Sequence, residues 1–239
     1  MRADRSAWLL GAAIFVLALL PRVWAPAVFV TVDEAYHWLE RALRFRQALL
    51  AGDYAATNLV GHPGVTTMWL GALGLHLRSW LIGAGMVDGD SLFIYRALAR
   101  LPVALANSFC IALAYAPLRR LFHARVAVLA ALLWAGEPFL VAHGQLLHVD
   151  ALLTSFLLVG VLCALVAFRF DEAAPAWLFV PRWRWLVASG ACGALALLTK
   201  SPAVLLPPMV GLIALAGLLR AAPAWGALRD WRPWLRAYA

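Results

Sequence analysis

Six apolar stretches, each long enough to cross a bilayer or nearly so, constrain this chain more than any other feature. They run near residues 8–23, 92–118, 126–142, 151–168, 185–199 and 203–219. A hydrocarbon core of about 30 Å calls for roughly 17 to 25 mostly apolar residues per helical crossing. Helices and closed barrels are the only structures that satisfy their backbone groups in lipid, and runs this long are helical. A water-soluble core is excluded on composition as well, because 64% of the 239 residues are hydrophobic and only 13% are charged. The expected class is therefore an all-α integral membrane protein, one transmembrane domain over residues 1–239 with about six spans.

The charges between the runs orient them. The chain has 20 basic residues against 12 acidic ones, and Lys200 is the single lysine. An excess of this size elsewhere suggests nucleic acid. Here the arginines lie in the turns between apolar runs, where they act as topology signals and lipid-phosphate contacts, so no nucleic-acid partner is expected. A seventh apolar stretch, 65–82, decides which turns share a side. If it lies in the interface, twelve arginines (2, 5, 119, 120, 125, 169, 182, 184, 220, 229, 232 and 236) fall on one side. If it spans, the downstream ten contradict the N-terminal pair. The positive-inside rule selects the first arrangement, with those arginines cytoplasmic and the loop 24–91 outside. The start, with Arg2, Arg5, the run from Trp8 and Ala25-Pro26-Ala27, resembles a secretory signal. With several spans following, an uncleaved anchor is expected. Cys110, Cys163 and Cys192 all sit inside apolar runs and read as small core residues.

The loop 24–91 is far longer than an ordinary connection and too apolar for disorder. From Asp33 to residue 51 the apolar positions recur every three or four residues with Arg41, Arg44 and Gln47 between them, the pattern of an amphipathic surface helix ended by Gly52. Residues 65–82 suggest a second. Thr31 followed by Glu34 matches a capping box, and Asp33 in the first turn suits the helix dipole, so a purely structural role for these acids stands beside a chemical one.

Three external segments carry most of the remaining polar chemistry: Asp33 and Glu34; His143, Gln145, His148 and Asp150; and Lys200. Ionisable groups at span ends are costly unless paired or solvated and mark sites by default. Asp150 also reads as a helix cap, and Lys200 as a lysine snorkelling to the headgroups. A carboxylate that takes a proton from an attacking hydroxyl or amine contributes about 10² to 10⁴-fold to such a transfer. Fixed cations such as Lys200 and Arg100 suit a phosphate leaving group. With one carboxylate as base and no second one evident as nucleophile, inverting displacement is the simpler mechanism, although Asp33 and Asp150 as an acid/base pair of a sugar hydrolase stay open. A divalent cation held by Asp33, Glu34, His148 and Asp150 is a further option; no other cofactor is implied. The competing class is a small transporter or permease with a relay through His148, Asp150 and Lys200, or a non-catalytic assembly subunit. The spans are nearly clean of ionisable groups and no repeat is evident, which leaves a pathway unsupported.

Five motifs in order carry a resemblance: VDEAYHW, HPGVTTMWLG, ARLPVAL, HVDALLT and LLTKSPA. Together they resemble the N-terminal half of a polyprenyl-phosphate-dependent glycosyltransferase of GT-C architecture, similar to the protein O-mannosyltransferases and aminoarabinose lipid A transferases of glycosyltransferase family 39. The resemblance implies a polyprenyl-phosphate-sugar donor, hexosyl or pentosyl, and a lipid, glycan or protein acceptor. It also implies a multi-pass place in a bacterial-type inner membrane with the active side outward. Asp33 becomes the general base and Glu34 its neighbour in positioning the acceptor. His62, Arg100, His148, Asp150 and Lys200 fall to the donor phosphate and substrate. Gln145 departs from the pattern, where relatives carry an arginine. Relatives usually continue for several more spans, so the resemblance implies either a missing C-terminal half or a second chain, and a fragment inactive alone.

Overall fold

The computed structural model describes residues 5–59, 64–172 and 181–221. His62, Arg2 and the arginines and tryptophans beyond 221 lie outside these. Among the described residues the fold is all-helical. It begins with α1 (Arg5–Val23), a π-helical turn (Glu34–Trp38) and α2 (Leu39–Ala51). There follow α3 (Val65–Gly83), α4 (Leu92–Leu121), α5 (Ala124–Gly136) and α6 (Pro138–Gly144). The last three are α7 (Asp150–Ala167), α8 (Trp183–Thr199) and α9 (Leu206–Ala221), the last preceded by a 3₁₀ turn.

By length and composition α4, α7 and the segment Ser201–Arg220 are able to cross a membrane, and the pair α5/α6 is a fourth candidate if counted as one span. The runs Ala7–Val23 and Trp183–Thr199 are apolar but shorter. α3, which carries His76 and Arg78, is not among these candidates.

The segment expected as one span at 126–142 is bent by 58° between α5 and α6. Its cause is local. Pro138 disfavours helix for the residue before it, so Glu137 turns extended and caps α6, its carboxylate accepting from Leu140 N at 2.6 Å. The break strands carbonyls at the end of α5. Arg22, only 1% exposed, reaches across from α1 and donates Nη1 to Ala135 O at 2.9 Å and to Ala18 O at 2.7 Å. A guanidinium suits the C-terminal ends of α1 and α5, where the helix dipoles are negative. Gln145 donates its amide to Pro21 O at 2.6 Å in the same junction.

α4 is the hub, packed against α1, α3, α5 and α7, while α7 carries α8 and α9 on its other flank. The interfaces are built from small residues: Ala18, Ala99, Ala114, Ala127 and Ala131 are all fully buried. Lipid tails are as apolar as the side chains, so close backbone approach and hydrogen bonds hold such helices together. Asn107 and Ser155 supply one such bond, 2.8 Å, inside the α4–α7 contact. Among the described glycines the tightest position is at the α3–α4 contact, where a Cβ on Gly74 would lie 2.1 Å from Leu98 O. Backbone cannot yield as a side-chain tip does. Gly74→Ala is therefore expected to cost about 1–3 kcal/mol, read as a lower thermal unfolding temperature in detergent. Gly83→Ala, with open space around its Cβ position, serves as the neutral comparison.

Candidate active site

Three segments distant in sequence meet at the N-terminal end of α7. The chain entering the π-helical turn brings Asp33, the turn between α6 and α7 brings His148 and Asp150, and the end of α8 brings Lys200. Each is placed by local structure. Lys200 follows the last turn of α8, with extended backbone and its N–H on Ala196 O. The end of α8 is pinned to the start of α3 by Thr66 and Thr199, whose hydroxyls are 2.6 Å apart, and by Gly64 N to Leu198 O at 3.1 Å. Gly64 has φ +146°, and a Cβ there would sit 2.5 Å from the Trp38 ring, so glycine is required where this strap passes the site.

The four side chains form one chain of contacts. Lys200 Nζ donates to Asp150 Oδ1 at 2.6 Å. Asp150 Oδ2 lies 3.5 Å from His148 Nδ1, which also accepts from Asp150 N at 3.3 Å. His148 Nε2 lies 3.4 Å from Asp33 Oδ2. The Asp150 N–H on Nδ1 favours the tautomer whose Nε2–H points to Asp33. The two ends of this chain of contacts are the exposed members: His148 is buried, while the Asp33 side chain is 62% exposed and that of Lys200 43%, leaving both open to a ligand. They border a cleft of about 260 Å³ together with His37, Trp38, Arg41 and Val149. Trp38 meets the His148 ring edge-on at 6.5 Å, and the Arg41 guanidinium sits over the Trp38 ring at 5.1 Å. A second cleft of about 230 Å³ shares His37 and Arg41 and adds Tyr36, Glu40, Arg44 and Leu59.

Two residues expected at the substrate are elsewhere. Glu34 is fully buried and Arg100 is 2% exposed. Arg100 Nε donates to Glu34 Oε1 at 2.7 Å, and Nη2 bonds the other carboxylate oxygen. Two further guanidinium N–H groups go to Phe29 O at 2.6 Å and to Pro26 O. Glu34 Oε1 also accepts from Leu147 N at 2.8 Å. A buried arginine needs a carboxylate and full hydrogen bonding to offset desolvation, so this pair faces inward and does not border the cleft. It ties the first loop to α4 and to the α6–α7 turn, and thereby sets where Asp33 and His148 stand. Thr31 Oγ1 does accept from Glu34 N, at 3.3 Å, but the reverse half of a capping box is missing because the carboxylate is on Arg100.

In the sequence Arg41 reads as a polar position of the surface helix and His37 is not singled out, yet spacings of four from Asp33 to His37 and on to Arg41 put all three along one helical face. Among the described residues the group able to hold a metal ion is His143, His148 and Asp150. Neither Glu34, sealed by Arg100, nor Asp33 belongs to it.

Comparison with known families matches residues 79–228 to the dolichyl-phosphate-mannose-protein mannosyltransferase family. The matched stretch contains Arg100, His148, Asp150 and Lys200, while Asp33, Glu34 and His62 precede it. No curated protein and no solved structure matches the chain. With well over half of its residues matched and an all-helical membrane fold, the chain belongs to the dolichyl-phosphate-mannose-protein mannosyltransferase family and is a membrane glycosyltransferase of the GT-C type.

Proposed function

We propose that the chain transfers a sugar from a polyprenyl-phosphate donor to a hydroxyl- or amine-bearing acceptor on the outer side of the membrane, by a single inverting displacement with Asp33 as general base. The observation that carries this reading is the convergence of Asp33, His148, Asp150 and Lys200 on one cleft from three segments. The acceptor oxygen or nitrogen attacks the anomeric carbon as the bond from that carbon to the phosphate oxygen breaks. The electron pair leaves with the lipid phosphate, and the acceptor proton goes to the exposed Asp33 carboxylate. Lys200, with one carboxylate partner and further N–H donors free, meets the charge that grows on the leaving phosphate. Arg41, over the Trp38 ring and bordering the same cleft, is a second cation available to it. Glu34 and Arg100 act through position, holding the loop that carries Asp33.

Lys200 gives the discriminating experiment. A charge-assisted hydrogen bond is worth about 1.5–3 kcal/mol, so Lys200→Met is expected to lower kcat/KM for dolichyl-phosphate-mannose or the active polyprenyl-phosphate sugar by roughly tenfold to a hundredfold. An unchanged kcat/KM would remove Lys200 from the phosphate and favour its snorkelling role.

A further inference from the structure

We infer that His143, His148 and Asp150 form a site for one divalent transition-metal cation of the zinc class, beside the cleft that His148 and Asp150 border. Their ligand atoms all lie within 4.8 Å of one another. His148 Nδ1 and Asp150 Oδ2 are 3.5 Å apart, and a bound cation takes the Nδ1 lone pair in place of the 3.3 Å contact from Asp150 N. Two ligands bonded at about 2.0–2.1 Å in a tetrahedral shell are separated by about 3.3–3.4 Å, so this pair already stands close to a ligand edge. The third member supplies an independent observation. His143 Nδ1 is buried and makes no hydrogen bond, and a buried polar atom without a partner calls for one. Its ring lies 5.5 Å from that of His148 and 4.2 Å from that of Phe139.

The surroundings are those of a metal site. His148 Nε2, on the far side of the ring from Nδ1, faces Asp33 Oδ2 at 3.4 Å, the carboxylate-to-imidazole contact that orients a ligating histidine. Asp150 gives Oδ1 to Lys200 and keeps Oδ2 for the cation. Two imidazoles and one carboxylate favour zinc-like ions over calcium or magnesium, which prefer all-oxygen shells. His148 and Asp150 border the cleft, so a cation held between them adds positive charge beside Lys200 where a phosphate would lie. Lys200 and Arg41 oppose that charge and Asp33 favours it; the imidazoles bind in their neutral form.

The site goes beyond the glycosyl-transfer reading and is tested on resting protein, so failure of either leaves the other standing. The full chain, free of any affinity tag and stripped with EDTA, is titrated with Co²⁺ in nanodiscs. The expected result is one equivalent bound with the intense visible bands of a four-coordinate cobalt site, displaced by Zn²⁺. His143→Ala and Asp150→Asn should each weaken binding at least a hundredfold, while His76→Ala, an exposed histidine elsewhere, leaves it unchanged. If the alanine variant loses its helical signal, His143→Gln is read in its place and should show the same loss. Absence of a stoichiometric cobalt signal in the unaltered protein, or equal affinity in the folded His143 variant, would overturn the assignment.

Discussion

Asp33→Asn is expected to abolish sugar transfer, with a loss of about 10² to 10⁴-fold in kcat, the range a positioned general base contributes. The amide keeps the size and the contact with His148 but cannot take a proton from the acceptor. Its side chain is 62% exposed and carries no buried bond, so the variant should insert and fold as the parent does. Steady-state transfer from dolichyl-phosphate-mannose or the active polyprenyl-phosphate sugar, normalised to folded protein, checks this. A loss below threefold would mean that another group takes the proton, and Asp150 is the carboxylate then to be tested.

The second large effect lies one residue along the chain and is of a different kind. Glu34→Ala removes the carboxylate from a guanidinium that is 2% exposed. Breaking a buried ion pair from one side costs about 3–5 kcal/mol, because the remaining charge is left without compensation. The expected result is a large fall in unfolding temperature in detergent and loss of activity in step with it. Glu34→Leu combined with Arg100→Met should recover part of that stability, since an apolar pair removes the stranded charge. Recovery stays partial because Leu147 N and the carbonyls of Pro26 and Phe29 lose their partners. If Glu34→Ala melts like the parent yet transfers no sugar, Glu34 touches substrate and the positioning role assigned to it is wrong. Adjacent acids thus separate cleanly: one variant loses chemistry, the other loses the fold.

This contrast also marks where sequence and structure part company. The helices were legible because lipid demands long apolar runs and the chain supplies them with arginine punctuation. The bend at Glu137–Pro138 was legible in principle, as proline disfavours helix in the residue before it. What repairs the bend was not: Arg22 meets Ala135 O across 113 residues, and only packing makes them neighbours. Likewise Asp33, His148, Asp150 and Lys200 could be singled out as polar groups at span ends, and a shared outer face made them candidates for one site. Their individual partners could not be read. Arg100 was assigned to a phosphate because arginine suits phosphate, but burial gave it Glu34 instead, 66 residues away. The same burial explains why the Thr31–Glu34 spacing matched a capping box yet formed only half of one. His143 shows the converse limit, since nothing in its local pattern announces a nitrogen left without a partner.

In the proposed function the cleft joining these segments releases lipid phosphate by sugar transfer to an acceptor. This is tested most directly by incubating the membrane-embedded protein with a panel of polyprenyl-phosphate sugars, dolichyl-phosphate-mannose among them, and following lipid-phosphate release by ³¹P NMR with and without acceptors. The expected result is acceptor-dependent release from at least one donor, inversion at the transferred anomeric carbon, and loss of that release in Asp33→Asn. Release that proceeds equally in Asp33→Asn, or a product that retains the donor's anomeric configuration, would contradict it.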